Sequence, residues 1–354
     1  MTKFRSVCHI VRRFGSVGGM ESYVCSLAHA QVSMGYDVMV IAEEVLGNHD
    51  GNIEVKLVER SVSPRRWRQM LEFRTAVDAV VLPLREMSNR PIIHSHERSS
   101  WHDVSTFHGP PMDASWSGRM FSPRVKAWRE MEQLELSGPA NPVVVPVSNF
   151  IKNQICRIHP SMNITFSEPG YPAIDVKKLQ KRLRGKHTAT RLCFVGNDWK
   201  RKGLPKALEI FKMYRDSVDG EASMDVIGVP KSAWSLVERY DVNLVDWVQS
   251  VPFGDYDAII HPANNEPFGM VVGEALNSGC RVLCSERVGA IELFGSCSFL
   301  DVIELGSSPN VWVDCLAQLL KKPIKLGELL EWTWLDLAKF YDQKVYDRFW
   351  RQNA

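Results

Sequence analysis

The sequence predicts an α/β protein made of two Rossmann-like, doubly wound halves. Buried-type strands and amphipathic helices alternate along the first part of the 354 residues, which is typical of a mostly parallel sheet covered by helices. The alternation stops in a basic, weakly periodic segment at 176–191 and restarts at the apolar run 192–196. A chain of this length favours two domains. We therefore expect two halves that face each other across a ligand-binding cleft.

The first half begins with a buried-type strand at Val7–Val11 and a glycine-containing loop at 15–19. The amphipathic run from Met20 to Met34 predicts a helix, and Gly35 closes it as a C-cap. A second helix fits Trp67–Leu82. The remaining strands are predicted at short apolar runs, namely 38–42, 53–58, 91–95, 104–107 and 143–147.

The second half repeats this pattern after the basic segment. Its predicted strands are 192–196, 224–227, 257–261 and 281–284, and its predicted helices are 205–215, 233–240, 270–278 and a last block from Val311 onward. We divide the chain into domains at 1–172 and 191–335, a linker at 173–190, and a C-terminal helix at 336–354 that crosses back to the first domain.

The bulk composition excludes several classes of protein. A net charge of +2 gives no reason to expect nucleic acid as a partner. The eight cysteines are scattered without a C-x-x-C pair, which favours a reducing, cytoplasmic location. No apolar run approaches the roughly 20 residues that span a bilayer.

The most informative segment is EPFGMVVGEAL, from Glu266 to Leu276. A strand-like run leads into a Pro/Gly turn and then a helix, an order that points backbone N–H groups at anions. Because like charges repel, Glu266 in the turn and Glu274 in the helix are not phosphate ligands, and we expect them to accept hydrogen bonds from hydroxyl groups. A ligand with phosphates and many hydroxyls, such as a nucleotide-sugar, fits both features. The alternatives are an ordinary surface turn and an ordinary helix residue.

Two further loops follow strands and precede helices. The loop at 196–203 carries three consecutive cations at 200–202, which suit a diphosphate, although a solvated basic loop is the alternative. Gly18 and Gly19 let the backbone approach a diphosphate at a helix N-terminus. This loop lacks the full dinucleotide-binding spacing, and an ordinary glycine turn is the alternative.

Histidines raise the question of a metal. His94 and His96 share one face of a strand, but no cysteine or carboxylate set completes a zinc site, so internally hydrogen-bonded histidines are the favoured interpretation. His108 ends the strand at 104–107, where it can meet a substrate hydroxyl. The D-x-D at 255–257 leads into an apolar strand and is read as polarity at the strand start. We expect no required metal.

In this order, the segments resemble the retaining GT-B glycosyltransferases of family four, and the basic segment is similar to that of bacterial lipopolysaccharide-core α-glycosyltransferases. The resemblance covers most of the chain. Its two specific motifs are FVGNDWKRKG and EPFGMVVGEAL. Supporting motifs are GGME, STFHG, VPVSNF and YPAID, at residues 18–21, 105–109, 145–150 and 171–175.

The resemblance implies roles on the leaving-group side of a nucleotide-sugar. Lys202 would neutralise the diphosphate with help from Arg201, and Gly18 and Gly19 would approach the same diphosphate from the first domain. Many relatives carry Arg where this chain has Asn197, so Arg201 supplies that charge in our interpretation.

On the sugar side, the resemblance places Glu266 on hydroxyls of the transferred sugar, Glu274 on the ribose, and His108 at the edge of the sugar site. The backbone around the sugar and phosphates would come from Phe268, Gly269, Met270 and Val271.

The resemblance implies a metal-independent enzyme that needs no cofactor. It would transfer a hexose-type sugar, with retention, from a UDP-linked donor to a saccharide or lipid-linked saccharide such as lipopolysaccharide core. The basic and aromatic runs Arg12–Arg13 and Pro64–Arg68 predict an anionic membrane surface as a further partner, on the inner face of a bacterial cytoplasmic membrane. Four alternatives stay open: a nucleotide-sugar epimerase, a phosphorylase, a glycoside hydrolase using Glu266 and Glu274, and a non-catalytic nucleotide-sugar-binding scaffold.

Overall fold

The computed structural model describes residues 5–112, 122–174, 189–218, 221–329 and 331–352. It divides the chain into two compact units. Unit 1 is Met1–Ala173 together with Trp332–Ala354, and unit 2 is Ile174–Glu331. Most of the predicted linker at 173–190, including its basic run, lies outside the described residues. Each unit has a parallel sheet with helices, which confirms the predicted α/β, Rossmann-like fold class.

Unit 1 contains a seven-stranded parallel sheet in the order β5-β3-β1-β6-β7-β8-β9. Its strands are β1 (Ser6–Ile10), β3 (Asp37–Ala42), β5 (Ile53–Leu57), β6 (Ile92–Ser95), β7 (Val104–Phe107), β8 (Val143–Pro146) and β9 (Thr165–Phe166), and the short β2 (Arg13–Phe14) and β4 (Glu44–Val45) pair separately. Its first four helices are α1 (Gly19–Ser33), α2 (Arg66–Arg85), α3 (Pro123–Ser137) and α4 (Asn149–Ile158).

The C-terminal segment belongs to the core of unit 1. A capping box starts it, because the Thr333 hydroxyl accepts from the Asp336 N–H while the Asp336 carboxylate accepts from the Thr333 N–H. A π-helical turn at Tyr341–Tyr346 follows, and its two tyrosines are fully buried beside the sheet. Aromatic burial on this scale makes the segment a structural part of unit 1.

Unit 2 contains a six-stranded parallel sheet in the order β12-β11-β10-β13-β14-β15. Its strands are β10 (Thr190–Val195), β11 (Ala222–Ile227), β12 (Asn243–Val245), β13 (Ala258–His261), β14 (Arg281–Ser285) and β15 (Leu300–Ile303). Its helices are α5 (Leu204–Ser217), α6 (Trp234–Val237), α7 (Met270–Asn277), α8 (Ile291–Phe294) and α9 (Pro309–Leu319). The chain then returns to unit 1, whose C-terminal helices are α10 (Trp334–Phe340) and α11 (Asp347–Gln352).

Several elements differ from the prediction. The helix predicted at 233–240 is one 3-10 turn at Lys231–Ala233 followed by the single α-turn of α6. Helices α3 and α4 and strands β9, β12 and β15 were not predicted from the sequence. The buried face of α3 carries Glu132 and Glu135, which interrupt the apolar periodicity that predicts a helix.

Candidate active site

The paired-glutamate segment folds as strand, turn and helix. Strand β13 leads to Glu266, and α7 begins directly after Gly269, whose φ of +92° favours glycine. The turn is held from behind by a neighbouring loop. The Glu266 N–H donates to the Arg287 carbonyl at 2.9 Å, and the Gly289 N–H donates to the Glu266 carbonyl at 3.0 Å. The Glu266 backbone is therefore fixed on both sides before any ligand binds.

The Glu266 carboxylate lies among basic side chains of unit 2. Its side-chain oxygen Oε2 lies 3.2 Å from Nζ of Lys202 and 3.2 Å from Nη1 of Arg201, and only 7% of the residue is exposed. Burial alone would raise the pKa of the Glu266 carboxyl, but the neighbouring side chains of Lys202, His261 and Arg201 outweigh burial and lower that pKa. The carboxylate is charged at neutral pH and is suited to accept hydrogen bonds.

Lys202 reaches Glu266 because of two glycines. Gly196, at the end of β10, has a φ of +152°, and a β-carbon there would lie 2.2 Å from Cδ of Lys202. The Lys202 stem therefore lies directly over the Gly196 backbone. At Gly203, with a φ of +80°, a β-carbon would lie 1.9 Å from the Pro262 carbonyl oxygen. The predicted loop thus needs glycine at both ends to bring its cations to the β13 turn.

Arg201 ties the cationic loop to the glutamate turn. Its Nη1 donates to the Asn265 carbonyl at 2.6 Å, and its Nε donates to Asp198 at 2.8 Å. Burial alone would lower the pKa of Arg201, but Glu266 and Asp198 outweigh it and raise that pKa. Arg201 is therefore a fixed structural cation, whereas Lys202 has the more adaptable stem.

His261 is a site residue that the sequence analysis missed. It ends β13, is fully buried, and places Nε2 3.6 Å from Oε2 of Glu266. Burial lowers the pKa of this imidazole. In the described residues, neither ring nitrogen makes a hydrogen bond of good geometry. A histidine at a strand end was a usable signal, but only the fold shows that it backs Glu266.

The remaining predicted donor-binding residues lie directly before α7 or within its first five residues. Glu274 is half-buried in its second turn, and burial raises the pKa of its carboxyl, with Lys202 partly offsetting the rise. The structure thus gathers the candidates of unit 2 around one turn and helix end: Lys202, Arg201, Glu266, Phe268, Gly269, Met270, Val271 and Glu274.

The glycine loop of unit 1 differs from a simple phosphate cradle. Gly18 is the N-cap of α1, and Gly19 is its first residue. A β-carbon at Gly18 would lie 2.4 Å from Oε2 of Glu21, whose carboxylate forms an ion pair with Arg13. The Glu21 carboxylate therefore covers Gly18 on the side where a side chain would point.

The other predicted residue of unit 1, His108, follows β7 and is half-buried. Its Nε2 lies 3.0 Å from Nδ1 of His96, and the Tyr23 ring packs on it edge to face with centroids 4.8 Å apart. Burial lowers the pKa of His108 to about 3, so the imidazole is neutral in the working pH range.

Three other histidines lie close enough together to hold a metal ion. Ring nitrogens of His9, His94 and His96 lie within 4.8 Å of one another. Each of their six ring nitrogens already has a protein partner within hydrogen-bond distance. A metal would have to displace these partners, and the arrangement fits a hydrogen-bonded histidine cluster.

The basic runs predicted to contact a membrane are not equivalent. Arg12 pairs with Glu43 at 2.7 Å and Arg13 pairs with Glu21, so these two charges are used inside unit 1. The exposed arginines of the other run, Arg65, Arg66 and Arg68, have no ion pair within the described residues.

Comparisons with known proteins agree with this geometry. A model of glycosyltransferase family 4 matches residues 17–170, and a model of glycosyl transferases group 1 matches residues 175–328. No curated protein sequence matches the chain significantly.

Solved structures share the fold at low sequence identity. WaaG, a glycosyltransferase involved in lipopolysaccharide biosynthesis, aligns with a TM-score of 0.73 at 15% identity over 98% of both chains. Sucrose-phosphate synthase from Thermosynechococcus elongatus aligns with a TM-score of 0.69 at 14% identity, over 98% of this chain and 97% of the other. Anabaena HepE, solved with UDP and glucose, aligns with a TM-score of 0.58 at 12% identity, over 98% and 97%.

The two family models together span nearly the whole described chain, and the fold of the two units agrees with both. The chain therefore belongs to the glycosyltransferases of the GT-B fold.

Proposed function

We propose that this glycosyltransferase moves a hexose-type sugar from a UDP-linked donor to a saccharide or lipid-linked saccharide, with retention of anomeric configuration. The observation that carries the proposal is the buried Glu266 carboxylate, held 3.2 Å from Lys202 and 3.2 Å from Arg201 beside the N-terminus of α7. One small region thus offers an acceptor for sugar hydroxyls and two cations for a diphosphate.

The charges suit the bond that breaks. Cleavage of the bond between the anomeric carbon and the phosphate oxygen leaves its electron pair on the diphosphate. Lys202, Arg201 and the positive end of α7 stabilise that growing negative charge. Two protein cations fill the role that a divalent metal fills in other sugar transferases, so we expect activity in the presence of EDTA.

Retention is proposed from the family resemblance, with front-face attack and no covalent intermediate on Glu266. Its ion pairs and lowered pKa make it a poor nucleophile, and we assign it to hydroxyls of the transferred sugar. The acceptor hydroxyl then attacks the anomeric carbon from the face that the diphosphate leaves, and its proton passes to the departing phosphate oxygen. NMR of the first product formed distinguishes this route, because an inverted anomeric signal would contradict it.

The donor and acceptor classes rest on similar proteins. HepE was solved with UDP and glucose, and WaaG acts in lipopolysaccharide biosynthesis. These similarities support UDP-glucose as the first donor to test and a lipopolysaccharide-core saccharide as the first acceptor.

The proposal includes peripheral binding to anionic lipid through the loop before α2. Val62 is 99% exposed and Leu57 is 62% exposed, and Arg65, Arg66 and Arg68 are exposed beside them. Apolar side chains within a basic patch suit an anionic bilayer surface. No helix in the described part of the chain has the length and apolar character needed to cross a bilayer.

Flotation with phosphatidylglycerol-containing vesicles at low salt tests this surface. We expect wild-type protein to float and a V62D/R66E variant to remain at the bottom, whereas neutral phosphatidylcholine vesicles should bind neither. Absence of wild-type flotation on anionic vesicles would contradict membrane binding without affecting the proposed transfer reaction.

Incubation with a panel of nucleotide-sugars tests the reaction itself, with release of nucleoside diphosphate as the signal. We expect release from a UDP-hexose and a loss of about 10²-fold or more in Lys202→Ala, because an electrostatic contact to the leaving group is removed. Lys200→Ala is the matched control, since the Lys200 ammonium lies 5.1 Å from the Trp199 ring centre and forms no ion pair with Glu266 in the described residues.

The product distinguishes the alternatives that the sequence left open. Interconversion of the donor sugar without transfer would favour an epimerase. Absence of nucleoside diphosphate release from every donor, with retained donor binding, would favour a non-catalytic scaffold.

A further inference from the structure

A continuous chain of nine hydrogen bonds runs through the core of unit 1 and ends at His108. It passes through buried side chains of α1, β1, β6, β7 and the π-helical turn at Tyr341–Tyr346. Of its members, only His108 is expected from the sequence to meet a substrate hydroxyl. The direction in which protons point along this chain decides what His108 can offer to a ligand.

One end of the chain is a group that can only accept. The backbone carbonyl of Gly170 receives the Tyr23 hydroxyl at 3.1 Å. Since the single Tyr23 proton is used there, Tyr341 must donate to Tyr23 across their 2.7 Å contact. Because each hydroxyl has only one proton to donate, Thr106 donates to Tyr341 at 2.6 Å, and Nε2–H of His94 donates to Thr106 at 2.7 Å.

The same direction of hydrogen-bond donation continues through the C-terminal segment. A neutral His94 that donates from Nε2 must accept at Nδ1, so the Tyr346 hydroxyl donates to it at 2.6 Å. Tyr346 then accepts from the Gln31 amide nitrogen at 3.3 Å. The orientation of the Gln31 side chain is thereby set by its partners, with its amide oxygen facing His9.

The last three bonds connect histidines. Nε2–H of His9 donates to the Gln31 oxygen at 2.6 Å, which leaves Nδ1 of His9 to accept from Nε2–H of His96 at 3.0 Å. Nδ1 of His96 in turn accepts from Nε2–H of His108 at 3.0 Å. Burial lowers the pKa of all four histidines in the chain, so each is neutral and carries a single ring proton. Each ring therefore donates from one nitrogen and accepts at the other.

We propose that this chain sets His108 as the Nε2–H tautomer and leaves its Nδ1 as a preformed acceptor for a ligand hydroxyl. Within the described residues, no hydrogen bond reaches Nδ1 of His108. His96, His9 and Gln31 are positioning residues that act through His108. That this hydroxyl belongs to the donor sugar rests on the proposed function, whereas the proposed tautomer of His108 does not.

NMR of ¹⁵N-histidine-labelled protein tests the tautomer directly. Long-range proton–nitrogen correlations distinguish Nε2–H from Nδ1–H, and a His108→Gln variant assigns the signal. We expect the unliganded wild type to show His108 as Nε2–H. A wild-type His108 in the Nδ1–H form would overturn the proposal.

Tyr346→Phe tests the chain at a distance from His108. It removes one oxygen and frees Gln31 to reverse, so the opposite proton direction becomes available and His108 should show both tautomers. Tyr36→Phe is the matched control, because the Tyr36 hydroxyl bonds Asp342 outside the chain, and the His108 signal should not change. An unchanged tautomer in folded Tyr346→Phe would refute the coupling. If that variant does not fold, Tyr341→Phe cuts the same chain nearer its anchor.

Binding supplies the second measurement. With UDP-glucose as the probe, Tyr346→Phe should raise the donor KM about twofold to tenfold, the range expected for one neutral hydrogen bond. Tyr36→Phe should not change it. An unchanged KM in Tyr346→Phe would overturn the role of Nδ1 in ligand binding. If the wild type turned over no nucleotide-sugar, the proposed function would fail, and the NMR measurement would still decide the tautomer.

Discussion

Gly196→Ala gives the sharpest test of how the fold positions Lys202. A β-carbon at this residue would lie 2.2 Å from Cδ and 2.9 Å from Cε of Lys202. Since non-bonded carbons pack at about 3.5–4.0 Å, the Lys202 stem must move by about 1 Å or more. Its Nζ then leaves its position 3.2 Å from Glu266. A displacement of this size in a catalytic group costs about 10²-fold in turnover.

Gly228→Ala is the matched control, since Gly228 follows the neighbouring strand β11 and also has a positive φ, of +71°. A β-carbon there would meet nothing closer than 3.8 Å. Each variant should lose about 1–3 kcal/mol in the free energy of unfolding from backbone strain alone. Only Gly196→Ala should also lose turnover.

Urea unfolding measures the stability of both variants, and release of nucleoside diphosphate from UDP-glucose measures turnover. If Gly196→Ala kept wild-type turnover, or if Gly228→Ala lost as much, the account of Lys202 positioning would be wrong. Structures of the two variants would then show whether the Lys202 stem had moved.

Three further predictions concern the same unit. Glu266→Gln should reduce turnover and alter the choice of donor sugar, whereas Glu274→Gln should mostly weaken nucleotide binding; equal effects on kcat and donor Kd from both would contradict the separate roles. Because the folded-state pKa of Glu266 is lowered from its ordinary 4.5, its contribution to stability is fully present above that pH and is lost as pH falls through the folded pKa. The difference in unfolding free energy between wild type and Glu266→Gln should therefore be constant near neutral pH and shrink below about pH 4.5 in urea titrations; a difference that grew in acid would refute the sign. Gly273→Ala should cost about 1–3 kcal/mol in urea unfolding, because its β-carbon would lie 2.8 Å from Ile174 and 2.9 Å from Phe294, while Gly306→Ala, which meets nothing within 4 Å, should be nearly neutral.

The glutamate segment shows what local patterns can predict. The helix expected at 270–278 is observed as α7 at Met270–Asn277, and the strand expected at 257–261 is β13 at Ala258–His261. Gly269 and the apolar run of β13 are local signals. They predicted these two elements correctly because backbone preference and burial favour the same structure there.

Other features had no local signal. Arg12 and Arg13 looked like a free basic pair, yet their carboxylate partners stand 31 and 8 residues further along the chain. Gln31 and Tyr346, which join the two halves of the hydrogen-bond chain, are 315 residues apart in sequence. Contacts at such separations depend on which strands become neighbours, and periodicity within a short window does not contain that information.

The sequence by itself determined the α/β fold class, the motifs that carry the family resemblance, and the chemical types gathered at the strand ends. These depend on short-range properties, namely hydrophobic period, turn residues and charge. Only the tertiary structure decided that His261 backs Glu266, that Glu21 covers Gly18, and that a buried hydrogen-bond chain ends at His108. The reason is that ion pairs, tautomers and steric access are set by atoms a few ångströms apart in space, which the order of parallel strands brings together from distant parts of the chain.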